Sequence, residues 1–173
     1  MTARHAVLPS TLGPLTALAE GDALVGLYFP GHTYPFVPGR EGPEVTEVTE
    51  DEDPVLAAVA TQIGEYLDGV RTDFDVPVRT AGGEFSERVW ARLREIPYGT
   101  TITYGEIARE LGGPGLAQRV GQAVGHNPIS IIVPCHRVVG ADGSLTGYAG
   151  GLERKRALLA LEEPSAEDGA RLF

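Results

Sequence analysis

Cys135 is the one cysteine of the chain, and it stands in the run Ile131-Ile132-Val133-Pro134-Cys135-His136-Arg137-Val138-Val139-Gly140, after a proline and directly before a histidine. With no second sulfur it has no disulfide or cysteine-rich zinc site to serve, so its chemistry is that of a lone thiol. Two readings stand side by side. A thiolate is a strong nucleophile whose pKa falls beside a histidine or a helix N-terminus, whereas a free cysteine is also among the most buried residue types and can fill space beside Ile132 and Val133. The break into Pro-Cys-His-Arg favours the nucleophile, because a strand meant only for burial would continue apolar.

The elements around this run must position it. Leu15 to Leu18 and Ala23 to Phe29, separated by Glu20-Gly21-Asp22, predict a hairpin. Pro38 to Asp53, rich in Pro, Gly and acids, predicts a mobile loop, and its Asp51-Glu52-Asp53 run a solvated surface rather than a metal site. Apolar residues at Val55, Leu56, Val59, Ile63 and Leu67 give a helical period over Pro54 to Leu67, with proline suited to the first turn. Arg71 to Val78 reads as extended. Thr80-Ala81-Gly82-Gly83 is the best boundary, which divides the chain into an α+β unit at 1–80 and a second unit at 81–173.

In the second unit, Phe85 to Ile96 is an amphipathic helix, with Phe85, Val89, Trp90, Leu93 and Ile96 on one side. Tyr104 to Leu111 predicts a short helix, Gly112-Gly113-Pro114-Gly115 a turn, and Leu116 to Gly125 a helix rich in small residues. Two short helices about a glycine turn form a helix-turn-helix, although Gly121, Ala123 and Gly125 could equally mark close helix packing. The last helix, Gly151 to Glu163, places Leu152, Leu158, Leu159 and Leu161 inward and the cluster Glu153-Arg154-Lys155-Arg156 on a solvated face.

The 173 residues carry a formal net charge of -10, which taken whole argues against a nucleic-acid partner. The distribution says otherwise. Residues 1–80 hold thirteen acidic and four basic side chains, residues 81–173 eleven and ten, and no Asp or Glu occurs from Leu111 to Ala141, a stretch with Arg119, His126, His136 and Arg137. Such a stretch is either an anion-facing surface or a buried segment that lacks charge of both signs. No apolar run approaches the roughly 18 residues that cross a membrane and no secretory signal is visible, so a cytoplasmic protein with a reduced thiol is expected.

Pro134-Cys135-His136-Arg137-Val138 resembles the active-site signature of the O6-alkylguanine-DNA alkyltransferases. Its flanks are similar too: Asn127-Pro128 eight residues before the cysteine, Gly143 to Leu152 after it, and Ile96 to Ala108, with weaker likeness in Leu12 to Leu15 and Arg71 to Asp75. The resemblance implies an α+β fold, with a ribonuclease-H-like N-terminal domain and a winged helix-turn-helix-like C-terminal domain. It also implies irreversible transfer of an alkyl group from flipped-out O6-alkylguanine to Cys135. By position, it makes His136 the base, Glu162 the carboxylate orienting it and Asn127 the hinge. Tyr104 becomes the residue that turns the target nucleotide out, with Ala117, Gln118, Arg119 and Gly121 on the DNA-contacting helix. Val138, Tyr148 and Ala149 become pocket residues. The implied partner is duplex DNA carrying O6-alkylguanine, with O4-alkylthymine a second candidate lesion. No cofactor, metal or membrane is expected, and the protein should act as a monomer.

Two other classes stay in view. A lesion-binding module of the same framework would carry tryptophan where Cys135 stands, and a thiol hydrolase would turn over repeatedly. Where the family's recognition helix begins Arg-Ala-Val-Gly, this chain reads Gln118-Arg119-Val120-Gly121. Either lesion extrusion is less efficient in this chain, or the long side chain of Arg119 serves for the arginine from one position along; the sequence leaves both open.

Overall fold

The computed structural model describes residues 2–32 and 39–163. Pro38, the first residue of the expected acidic loop, lies outside them. Three strands, β1 (Ala3–Leu8), β2 (Leu15–Glu20) and β3 (Ala23–Tyr28), form an antiparallel sheet in that order. The hairpin is as the sequence predicts. β1 carries little alternation of its own and is added by pairing with β2, Ala3 opposite Glu20 and Leu8 opposite Leu15. Helix α1 (Pro54–Leu67) packs on this sheet; Asp53 caps it by accepting from Leu56 N at 3.1 Å and is itself bonded by Arg4.

α2 (Glu84–Leu93) ends a turn sooner than its apolar period suggests, and the chain continues through a turn to Ile96 and Pro97. α3 (Tyr104–Leu111) follows the two-residue strand β4 (Ile102–Thr103), and α4 (Ala117–Gly125) follows a short 3-10 turn at Pro114–Leu116. The link between α3 and α4 needs glycine, because Gly112 and Gly113 have φ of 153° and 157°. Trp90 fastens α2 to α4 by donating Nε1–H to Ala123 O at 2.8 Å. β4 pairs in parallel with β5 (Val138–Val139), and α5 (Leu152–Glu162) closes the described chain.

The segment from Ile131 to Val139 is not a strand through Cys135. Residues 135–137 form a 3-10 turn, and only Val138–Val139 pair, with β4. The N-terminal sheet reaches this segment directly: Leu27 N donates to Pro128 O at 2.8 Å and Ser130 N to Leu27 O at 3.0 Å. One apolar core runs through both halves, from Leu15, Leu27 and Tyr66 to Ile107, Ile129, Val138 and Leu158.

α5 keeps only part of its charged cluster on a solvated face: Glu153 and Arg156 are exposed, the two residues between them are not. Lys155 is fully buried and Arg154 half-buried, while Leu152 is exposed. With Leu158 and Glu162 also buried, the inward stripe runs 155, 158, 162, a helical spacing that polar residues occupy at both ends.

Candidate active site

Cys135 sits at the start of its 3-10 turn on the wall of a cavity of about 660 Å³. The other walls are Tyr104 of α3, the face of α4 formed by Ala117, Gln118, Gly121, Gln122, Val124 and Gly125, and the loop Thr146-Gly147-Tyr148-Ala149. The fold therefore brings together Cys135, Tyr104, Ala117, Gln118, Gly121, Tyr148 and Ala149, which lie up to 45 positions apart in sequence. Tyr104 begins α3 because Thr103 caps it in a capping box: Thr103 Oγ1 accepts from Glu106 N at 3.1 Å and Thr103 N donates to Glu106 Oε2 at 3.0 Å. Gly121 faces the Tyr104 ring from α4, and a Cβ there would touch the ring at an ordinary 3.9 Å.

Two expected residues stand off the cavity wall. Val138 is buried in β5, and Arg119 lays its guanidinium over the Phe85 ring at 4.1 Å, against α2. Gln118 takes the place beside the cavity.

Behind Cys135 is a buried polar cluster. His136 Nε2 faces Glu162 Oε2 at 2.7 Å, both fully enclosed, and Arg137 grips the same carboxylate through Nε at 2.8 Å and Nη2 at 2.9 Å. Tyr66 of α1 donates its hydroxyl to Oε2 at 2.5 Å, and Gly99 N donates to Oε1 at 3.2 Å. Burial alone would raise the Glu162 carboxyl, but His136, Arg137 and Tyr66 together hold it far below the carboxylate range. A charged Glu162 takes the Nε2 proton, so the lone pair of His136 is on Nδ1, a buried atom with no hydrogen-bond partner among the described residues. Burial lowers the His136 pKa, leaving the ring neutral and able to accept a proton there.

Burial raises the Cys135 thiol, while Asn127 and Lys155 pull it back. The resting group is a thiol that needs a base. Asn127 braces the turn: Nδ2 donates to Val133 O at 2.8 Å and Ile129 O at 3.2 Å, and Oδ1 accepts from Ile129 N at 3.0 Å. These bonds span Ile131, whose φ of 70° is a strained value for a β-branched residue. Tyr104 and Tyr148 both titrate higher than usual because they are buried, so each keeps its proton at neutral pH. Lys155, lowered by burial to about 8, donates to Val138 O at 2.7 Å and Gly147 O at 2.9 Å, closing the loop between them.

Sequence reasoning passed over Tyr66, Arg137 and Lys155 as members of this cluster. Only Arg137 had a signal, its adjacency to His136. The acid-free stretch divides: Asn127 and 129–140 are buried, as the reading of a charge-free interior expects, whereas Gln118, Arg119 and Gln122 of α4 are exposed. Arg137 belongs to the buried part and is spent on Glu162.

Residues 3–80 match the family described as 6-O-methylguanine DNA methyltransferase, ribonuclease-like domain, and residues 84–164 the one described as 6-O-methylguanine DNA methyltransferase, DNA binding domain. Among similar proteins, the methylated-DNA–protein-cysteine methyltransferase of Mycobacterium tuberculosis is 47% identical over 169 residues, 98% of each chain. That of Methanosarcina acetivorans is 43% identical over 91% of this chain and 97% of its own. The crystal structure of Mycobacterium tuberculosis OGT in complex with DNA superposes with a TM-score of 0.81 at 44% identity, covering 94% of this chain and 93% of that one.

Proposed function

This chain belongs to the methylated-DNA–protein-cysteine methyltransferase family, and from that premise and the geometry around Cys135 we infer that it repairs O6-alkylguanine in duplex DNA by irreversible alkyl transfer to Cys135. The observation that carries the reading is the cavity, which is lined by one sulfur, two protonated tyrosines and a face of α4 free of acidic side chains. Its size suits a single base and its alkyl group. Residues 1–80 act as the supporting domain and 81–173 as the domain that binds DNA and reacts.

The target base must leave the stack, at a cost of a few kcal/mol. α4 enters the minor groove, with Ala117, Gln118 and Gly121 close to the DNA, and Tyr104 turns the nucleotide toward the cavity. Tyr148 and Ala149 hold the base. The thiol proton passes through water to His136 Nδ1, and Glu162 stabilises the imidazolium that results. Sγ then attacks the alkyl carbon. The S–C bond forms as the C–O6 bond breaks, its electron pair goes to the base, Tyr104 gives its hydroxyl proton to restore guanine, and the proton held on His136 returns through water to the tyrosinate. Since the thiol lost one proton and guanine gained one, the balance closes with a thioether and no cofactor. A thioether does not hydrolyse, so each molecule acts once. A lone thiol kept ready for this suits a reducing compartment, which supports a cytoplasmic location.

Incubation with duplex DNA carrying O6-methylguanine, followed by intact-protein mass measurement, should show one methyl per molecule, mapped to Cys135. Transfer to another residue, or release of several equivalents of repaired DNA per protein, would overturn the mechanism. Cys135→Ser should bind DNA without transfer, because a hydroxyl is a far poorer nucleophile at neutral pH.

A further inference from the structure

Arg154 makes an arrangement that the transfer chemistry does not use. It lies one residue before Lys155 on α5, yet its guanidinium points back across the molecule. Nε donates to Leu12 O at 2.8 Å, and Nη1 donates to Pro30 O at 3.2 Å and to Gly150 O at 3.0 Å. Leu12 precedes β2 and Pro30 follows β3, so two ends of the N-terminal hairpin are tied to the loop that leads into α5. The same guanidinium lies over the Phe29 ring at 5.2 Å, and Phe29 meets Tyr148 edge-on with centroids 6.1 Å apart. Gly150 fills the gap between those rings: a Cβ there would lie 2.5 Å from Phe29 and 2.9 Å from Tyr148. Among the described residues Arg154 forms no ion pair, and its donors go to backbone carbonyls.

We propose that Arg154 and Phe29 are positioning residues that set the alkyl-group selectivity of the cavity, by bracing the Tyr148–Gly150 wall against the N-terminal hairpin. Neither side chain lines the cavity. The wall they hold does, through Tyr148 and Ala149, and beside Lys155 at Gly147 O it is the Arg154 and Phe29 contacts that tie this wall to the N-terminal hairpin. Arg suits the task because its planar fork serves three carbonyls while its face covers a ring, which an ammonium cannot do. The N-terminal unit, whose described residues give the cavity no side chain, thus controls how large a group fits beside Cys135.

The inference rests on the alkyl-transfer reading, and the experiment separates the two. Single-turnover rates are measured for the full-length parent, Arg154→Ala, Arg154→Lys and Phe29→Leu, on one duplex carrying O6-methylguanine and on the same duplex carrying O6-benzylguanine. In Arg154→Ala the benzyl-to-methyl rate ratio should rise by roughly fivefold or more, since discrimination by a pocket wall is lost when the wall yields. Affinity for undamaged duplex should change less than about twofold, because α4 is untouched. Arg154→Lys should fall between Ala and the parent, and Phe29→Leu should shift the ratio in the same direction. Hydrogen exchange at residues 146–151 should quicken in step. A parent that transfers neither group sinks the alkyl-transfer reading. A parent that transfers both, with folded variants that keep its ratio or slow both substrates equally, sinks this proposal; if Arg154→Ala does not fold, Arg154→Lys and Phe29→Leu decide.

Discussion

Glu162 is the residue on which most of the buried charge depends. It takes bonds from His136, Arg137, Tyr66 and Gly99, two of them from elements far away in sequence. Glu162→Gln should slow alkyl transfer, but less than His136→Ala, because one weakens the orientation of the base and the other removes it. The same Gln change should also destabilise the fold by about 3–5 kcal/mol, since Arg137 is left as a buried cation without its counter-charge. Urea denaturation checks the second claim and single-turnover kinetics the first. Tyr66→Phe offers a finer test. Without the phenol, Oε2 keeps more negative charge for His136, the imidazolium gains stability, and the acid limb of the rate profile should move to higher pH. An unmoved limb would make Tyr66 a packing residue only.

At the scale of elements, the proposed function gives α3 and α4 the contact with DNA. Thr103→Ala removes the cap from the helix that begins with Tyr104 and should cost about 1 kcal/mol in denaturant unfolding. Its effect on transfer should be larger on duplex DNA than on free O6-benzylguanine, because the free base needs no flipping. The order of effects within α4 follows from where its side chains stand. Arg119 stacks on Phe85, and Gln118 borders the cavity. Gln118→Ala should therefore slow duplex repair more than Arg119→Ala, the reverse of the order expected if Arg119 serves for the family's arginine. Comparison of the two variants on one duplex settles it.

The whole molecule should weaken in acid, and the sign follows from its buried groups. His136 has a folded pKa below its ordinary 6.5 because burial disfavours the cation, so the unfolded chain binds more protons as pH falls through 6.5. Glu162 and Asp53 are held below their ordinary 4.5 and 3.8, so their stabilisation, full above those values, is lost as pH falls further. The thermal midpoint should drop from about pH 6.5 downward and more steeply below about 4.5; a constant midpoint from pH 7 to 4 would contradict the burial of His136. DNA affinity should fall with added salt despite the net charge of -10, because contact falls to the acid-free face of α4. A flat response would take α4 out of the interface.

The sequence by itself singled out Cys135 and His136 as candidates and determined helices α1 and α3. Those signals are local: a lone cysteine beside a histidine, apolar residues at helical spacing over Pro54–Leu67 and Tyr104–Leu111, and glycines where the backbone turns left-handed. β1 was not legible, because a strand at a sheet edge takes its form from its partner. The fate of the charges was not legible either. Arg137, Arg154 and Lys155 look alike in the chain, and only tertiary structure decided that Arg137 neutralises Glu162, that Lys155 is sealed beneath Tyr104 and that Arg154 reaches the N-terminal hairpin. A basic side chain is long enough to serve several neighbours, and which one it meets depends on elements that the local sequence does not encode.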